Sequence, residues 1–362
     1  MFVLQFIIVL YPKMHIKHVC IEFEIYVLSC QVYITFSDNV PIDYDIEIDV
    51  KSISITLAEK DIYILNIKEY TFEEDEVRDI KVYGNKLLFR AQLNSCPKTE
   101  SSCFSFTPKY MPKVKSAEEV FITCCSCQKS IDRKSFNFRR VLPVELYEVD
   151  HMFCHGGTEN LVFHPQEDDC YYDKVSIYIR NKHWTSSNSI ICKNCNLCIG
   201  VCVEYGLRLW LDSVSFKFGE DDEQTYAPPY DCFAILIDDI VKSMLGPISH
   251  IIMKFKDSEN DYHYLLMKVI KKNEFAIALN PNCSNILTLD RKNCSSIIWH
   301  TSSEFVEKWR NDYFVTEIQI SERMYQSAIK YLTDINKQFL IGNCSTGIEK
   351  SRKSYLFTDL VE

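Results

Sequence analysis

Thr123-Cys124-Cys125-Ser126-Cys127 and Cys192-Lys193-Asn194-Cys195-Asn196-Leu197-Cys198 decide the reading of this chain. Between them run Phe153-Cys154-His155 and His164-Pro165-Gln166-Glu167-Asp168-Asp169-Cys170. Nine of the 17 cysteines and four of the nine histidines fall in the 79 residues from Cys124 to Cys202, a density that an ordinary core does not produce. The pairs Cys124/Cys127 and Cys192/Cys195 supply four thiolates, the number that a closed tetrahedral structural zinc site takes. A Cys-x-x-Cys turn holds both sulfurs about 2.3 Å from one ion while its amides point at them. The 64 residues between the pairs exceed a usual zinc-ribbon interval, so an inserted loop must bring the second pair back. The expected ligands of one zinc are therefore Cys124, Cys127, Cys192 and Cys195, with Cys125 and Cys198 as alternates. Two other readings compete: buried thiols packed as small apolar side chains, and a redox dithiol.

Inside this span, Cys154, His155, His164 and Cys170 are also able to bind zinc, at spacings that match no derivable site. Three readings stand side by side: a second zinc, an exposed loop whose acidic run Glu167-Asp168-Asp169 faces solvent or a partner, and a hydrolytic centre with an open metal position. No residue marks a general base for the last.

Working outward, 362 residues with 47% hydrophobic composition suffice for two domains, or for one large domain carrying an insert. A net charge of −10 argues against a direct nucleic-acid-binding surface, which needs clustered cations. Seventeen cysteines in so long a chain point to reduced thiols rather than a secreted disulfide framework, and with zinc to the cytoplasm or the nucleus. The apolar stretch Met1–Leu10 lacks a charged flank and a cleavage site and is too short to span a bilayer, so no membrane partner is expected. Walker loops, nucleophile elbows and dinucleotide fingerprints are absent from the sequence, and only nine glycines are present, which disfavours ATP- or NAD-dependent chemistry.

The fold class expected is α+β and β-rich: antiparallel sheets, a zinc-binding Cys-rich insert and a mixed C-terminal part, divided as residues 1–118, 119–205 and 206–362. In the front part Ile21–Val27, Gln31–Phe36, Asp45–Val50, Lys81–Tyr83 and Lys86–Phe89 alternate apolar and polar residues as half-buried strands do. Gly84-Asn85 reads as a tight turn, Glu73–Glu76 as a solvated loop between strands, and residues 94–118 as a proline-broken connector. Behind the insert, Leu207–Leu211 reads as a strand and Phe216–Pro229 as an acidic loop. Cys232–Leu245 reads as a helix whose apolar stripe packs in the core. His250–Lys256 and Tyr262–Leu279 read as strands, and Ser321 as the N-cap of a helix over Glu322–Leu332.

In order, Cys124-x-x-Cys127, Arg140-Val141-Leu142-Pro143, Cys154-His155, His164-Pro165-Gln166-Glu167-x-Asp169-Cys170, Cys192-Lys193-x-Cys195 and Gly200 closing that turn resemble the HECT-like ubiquitin-conjugating-enzyme-binding family. The similarity is specific over about residues 119 to 215. It implies a ubiquitin ligase that binds a ubiquitin-conjugating enzyme and promotes transfer of ubiquitin to substrates and to itself. Leu142, Pro143, Cys154, His155, His164, Pro165, Glu167, Asp169 and Cys170 are then partner-binding residues. A second implication is a non-catalytic protein that holds or inhibits the endonuclease of messenger-RNA 3'-end processing, its acidic residues meeting a basic mouth. A ligase that carries ubiquitin on itself needs one accessible, activated thiolate. Outside the cluster, the front sheet and its connector, Cys232, Cys283, Cys294 and Cys344 are available, and only Cys294 has bases close by, Arg291 and Lys292. No catalytic residue is assigned.

Overall fold

The computed structural model of the protein describes residues 15–24, 27–57, 61–67, 70–95, 119–131, 135–143, 168–180, 189–203, 206–218, 222–224, 227–243, 249–257, 259, 261–279, 286–311, 315–339 and 352–357. The chain divides into two compact units. One comprises Met1–Ser102, Lys272–Cys294 and Lys337–Leu340; the other comprises Cys103–Lys271, Ser295–Asn336 and Ile341–Glu362.

The first unit opens with β1 (Ile16–Glu24), β2 (Ser29–Phe36), β3 (Tyr44–Asp49), β4 (Ser52–Leu57), β5 (Asp61–Ile67), β6 (Thr71–Tyr83) and β7 (Lys86–Ser95). The second continues with β8 (Glu119–Cys124), β9 (Phe136–Asn137), β10 (Arg140–Pro143), β11 (Asp169–Tyr172), β12 (Ser176–Ile179), β13 (Ser189–Ile191), β14 (Cys198–Val203), β15 (Gly206–Trp210), β16 (Val214–Phe218) and β17 (Asp222–Gln224). Helix α1 (Pro229–Ser243) and β18 (Ser249–Lys256) follow. The long strands β19 (Tyr262–Leu279) and β20 (Ile286–His300) each give one segment to either unit, and α2 (Val306–Arg310), β21 (Val315–Gln319), α3 (Glu322–Phe339) and β22 (Arg352–Phe357) complete the order.

In the first unit every second residue of β2, β4, β5 and β7 points inward: Val32, Ile34 and Phe36; Ile53, Ile55 and Leu57; Tyr63, Leu65 and Ile67; Leu87, Phe89, Ala91 and Leu93. That period of two is what a pleated strand with one buried face requires. Burying such side chains contributes roughly 1.5–3 kcal/mol each. Strand order is β3-β4-β5-β20-β19-β1-β2-β7-β6. The first and last strands approach each other, since the Phe72 N–H donates to the Val50 carbonyl at 2.9 Å. Gly84 turns β6 into β7 at φ +59°, with Tyr83 facing Lys86, as the Gly-Asn pair implied. Glu73 to Glu76 do not form a loop between strands. They bulge out of β6, whose register with β7 jumps between Phe72 and Val77, and Asp75 takes φ +59° there. A bulge lets a strand continue while its charged residues stay in water.

The second unit holds a six-stranded sheet, β10-β11-β12-β15-β14-β13, and a four-stranded one, β17-β16-β8-β9. Most pairs are antiparallel, as expected; β10–β11, β18–β21 and β5–β20 are parallel. The acidic segment after Phe216 is a hairpin rather than a loop, Phe216 pairing with Gln224 and Phe218 with Asp222. An edge strand needs pairing on one side only, so a charged segment can fill the place. Helix α1 buries Phe233, Leu236, Ile237 and Ile240, so its stripe is core. Helix α3 begins where expected and runs further, to Phe339; Ser321 Oγ accepts from the Met324 N–H at 2.9 Å as its N-cap. Among the described residues no helix is long and apolar enough to cross a membrane.

Candidate metal centre

β8 delivers Cys124 as its last residue, and the chain then turns tightly. The Gln128 N–H donates to the Cys124 carbonyl at 2.9 Å, the Cys124 N–H donates to the Lys129 carbonyl at 2.9 Å, and Gln128 sits at φ +57°. β13 delivers Cys192 in the same way. The Asn196 N–H donates to the Cys192 carbonyl at 2.9 Å, the Cys192 N–H donates to the Leu197 carbonyl at 2.8 Å, and Asn196 sits at φ +62°. Two remote segments thus adopt one turn, in which the residue after the second cysteine takes the left-handed conformation. In each, the first sulfur accepts backbone N–H groups two and three residues on: Ser126 and Cys127 for Cys124, Asn194 and Cys195 for Cys192. This is the thiolate-cradling arrangement that a Cys-x-x-Cys metal knuckle provides.

The two knuckles face each other. Cys124 Sγ lies 3.6 Å from Cys195 Sγ, Cys127 Sγ lies 3.6 Å from Cys192 Sγ, and all four sulfurs are within 4.8 Å of one another. A tetrahedron with 2.3 Å bonds to sulfur has edges of about 3.8 Å. A disulfide would need about 2.05 Å. The spacing therefore fits four sulfurs around one cation, and with four protein ligands no position is left for a reactive water. Filled in that way, the site would be of the closed, structural kind.

Burial pushes the Cys124 thiol well above its ordinary range, its amide donors offsetting only part of this, and burial also raises Cys127. Burial opposes ionisation of Cys192 as well, but the Asn194 and Cys195 amides and the neighbouring Cys127 and Cys195 sulfurs outweigh it and bring the value to about 7. Ionising all four sulfurs at this separation would require a cation among them.

Neither alternate sulfur joins the four. Cys125 accepts the Arg323 guanidinium, and Cys198 contacts the Gly200 carbonyl at 3.5 Å and packs with Val201 and Trp210. Gly200 does not close the knuckle. It lies inside β14 opposite Leu209, where a Cβ would collide with the Arg208 carbonyl.

Leu142 and Pro143 lie in β10, in register with Tyr171 and Tyr172 of β11. Asp169 and Cys170, expected at a partner-facing loop, sit inside β11 and are 3% and 0% exposed. The Tyr171 hydroxyl donates to Asp169 Oδ2 at 3.5 Å, and burial pushes the Cys170 thiol up to about 12. Cys170 packs among core residues. Cys154, His155, His164, Pro165 and Glu167 lie outside the described residues, as do Met1–Leu10 and most of the 94–118 connector. Of the four cysteines considered as nucleophiles, Cys232 and Cys294 are buried, at 0% and 3% exposure. Burial first, then Asp212, Asp231 and Asp173, hold the Cys232 thiol well above its ordinary value. Cys283 and Cys344 lie outside the described residues.

Sequence reasoning did not single out Gln128 and Asn196. The signal was present for Asn196, since asparagine tolerates positive φ and directly follows a Cys-x-x-Cys pair.

A family model described as HECT-like Ubiquitin-conjugating enzyme (E2)-binding matches residues 25–339 of the chain. No curated protein and no solved structure matches it.

Proposed function

The chain belongs to the HECT-like ubiquitin-conjugating-enzyme (E2)-binding family, and from that membership we propose that it is a ubiquitin ligase, which binds a ubiquitin-conjugating enzyme and promotes transfer of ubiquitin to substrates and to itself. The observation that carries the reading is the extent of the match, which takes in residues of both compact units and not the cysteine cluster alone.

The ion held by Cys124, Cys127, Cys192 and Cys195 is zinc on this reading. Four thiolates at tetrahedral spacing suit zinc, which has no redox chemistry and serves as a structural tie. Bound there, it supplies cohesion: two knuckles with little apolar surface of their own become one rigid element. The partner-binding surface proposed is the segment from Leu142-Pro143 through Cys154-His155 and His164–Glu167, anchored at one end by β10 and at the other by β11.

Transfer then proceeds from the conjugating enzyme. A substrate lysine amine attacks the thioester carbonyl of the bound conjugate, an amide bond forms, and the conjugating enzyme's thiolate leaves. The ligase contributes proximity and orientation. Burial of Cys232 and Cys294 supports this over a relay through a thioester on the ligase at either residue. The second reading, a holder of the endonuclease of messenger-RNA 3'-end processing, depends on a displayed acidic run, and burial of Asp169 removes one of its three charges. A reducing compartment, cytoplasm or nucleus, suits an intact tetrathiolate site.

The test is a reconstituted reaction with activating enzyme, a panel of conjugating enzymes, ubiquitin and ATP. Capture of at least one conjugating enzyme and ubiquitin chains on the ligase are expected. No capture, with transfer no faster than without the chain, overturns the reading.

A further inference from the structure

We infer that Arg323 is a positioning residue for the metal centre, and that through it the bound ion fixes the start of helix α3. The inference rests on the reading that the four cysteines carry a metal. Cys125 stands between the ligands Cys124 and Cys127 in sequence but turns away from them. Its N–H donates to the Ser213 carbonyl at 3.1 Å, and its sulfur accepts from the Arg323 guanidinium. The Ser213 hydroxyl donates to Asp212 Oδ1 at 3.1 Å, and the Ser321 hydroxyl donates to Asp212 Oδ2. Ser321 is the N-cap of the helix that carries Arg323, so the contacts close into a ring: Cys125, Ser213, Asp212, Ser321, Arg323 and back to Cys125.

The ring joins three segments that meet only by folding: the first knuckle, the turn between β15 and β16, and the first turn of α3. Asp212, Ser213 and Ser321 are fully buried and Cys125 nearly so. Buried polar groups cost little only while each keeps its partner. Three of these contacts cross between segments, Cys125 N–H to Ser213, Arg323 to Cys125 and Ser321 to Asp212, so displacement of one segment strands polar atoms on the others.

The site also has a charge to balance, since four thiolates around a divalent ion leave two negative charges. Arg323 is the cation that the ring brings to the residue between two ligands. The guanidinium thus favours the metal-loaded state of the knuckles, and by reciprocity a loaded site favours the docked α3. Outer residues that support metal ligands change affinity by about 10–100-fold when removed.

The experiment uses the full-length protein purified with its metal. Release to EDTA is followed with a chromogenic chelator for wild type, Arg323→Met, Arg323→Lys and Gln326→Ala, an exposed α3 position outside the ring. Hydrogen–deuterium exchange of wild type is compared before and after stripping. Arg323→Met is expected to release metal about tenfold faster, Arg323→Lys less than that, and Gln326→Ala at the wild-type rate. Stripping is expected to raise exchange in the first turns of α3 as well as in both knuckles. Metal-free wild type overturns this inference together with the metal reading beneath it. Metal present, with Arg323→Met releasing it within twofold of wild type or with α3 exchange unchanged on stripping, overturns the inference alone. Should Arg323→Met fail to fold, the wild-type exchange comparison decides.

Discussion

Cys124 Sγ and Cys195 Sγ lie 3.6 Å apart although 71 residues separate them in the chain. The contact joins the first cysteine of one knuckle to the second cysteine of the other, so neither knuckle alone offers the four-sulfur set. One metal ion per chain is therefore expected by elemental analysis. Cys124→Ser or Cys195→Ser should abolish tight metal binding rather than halve it. Because the ion closes a large insert, its loss is expected to cost more than about 4 kcal/mol, at the upper end of single-site effects. Thermal unfolding with and without chelator checks this, and two ions per chain or an unchanged transition would contradict it.

The turn after each knuckle gives a second prediction. Asn196 sits at φ +62° and Gln128 at φ +57°, a region where a β-branched side chain clashes with its own backbone. Asn196→Val and Gln128→Val should each destabilise by roughly 1–2 kcal/mol and loosen the metal. Asn196→Gly should be close to neutral. If valine and glycine variants behave alike in thermal melts and chelator competition, the shared knuckle geometry is not what orders the sulfurs.

Much of this was legible in the sequence, for identifiable reasons. Alternation in Gln31–Phe36 and Lys86–Phe89 marked strands because one face is buried and the other wet. Gly84-Asn85 marked a turn because a positive φ was needed. The convergence of Cys124, Cys127, Cys192 and Cys195 was legible because two Cys-x-x-Cys pairs together make up one tetrahedral donor set. Pairing was not legible: three parallel contacts depend on where the chain returns, which no local pattern records. The bulge at Glu73–Glu76 read as a loop because charge signals solvent and not the end of a strand. Phe216–Pro229 misled for the same reason. The Asp212–Ser321 bond was invisible because 109 residues separate its ends and neither residue has a spacing signature.

That bond supplies a third prediction. Ser321 serves the carboxylate of a fully buried Asp212 and caps α3 at once. Ser321→Ala should cost about 1–3 kcal/mol, since it removes a cap and leaves a buried acceptor short of a donor. Ser321→Asp would keep a capping oxygen but set a second carboxylate beside Asp212, and should be worse than alanine. Denaturant titration ranks the two, and an aspartate variant as stable as wild type would mean that Asp212 is not confined there.

Cys232 offers a fourth. It is buried in α1 with its thiol held well above the ordinary range, the opposite of what a ubiquitin-accepting nucleophile requires. Cys232→Ala should leave ubiquitin transfer within twofold of wild type while lowering stability by about 1 kcal/mol, the scale of losing a small buried group. A reducible ubiquitin adduct that disappears in this variant would establish a thioester route and refute direct transfer from the conjugating enzyme.

The last concerns pH. Arg310 donates to both Glu317 oxygens at 3.0 and 2.8 Å, and Lys254 adds a contact at 2.7 Å. These bonds, Arg310 first, hold the Glu317 carboxyl down to about 2, against an ordinary value of 4.5. A depressed folded value means that the unfolded chain takes up its proton first as pH falls. The stabilisation is therefore fully present above about pH 4.5 and is lost between there and pH 2. The group is partly in water, so its contribution is about 1 kcal/mol or less and shrinks with added salt. Glu317→Gln should accordingly lower stability slightly at pH 7 and hardly at all near pH 2. Paired urea titrations of wild type and variant across pH 2 to 7 measure this difference, and a gap that widens toward low pH would reverse the sign argued here.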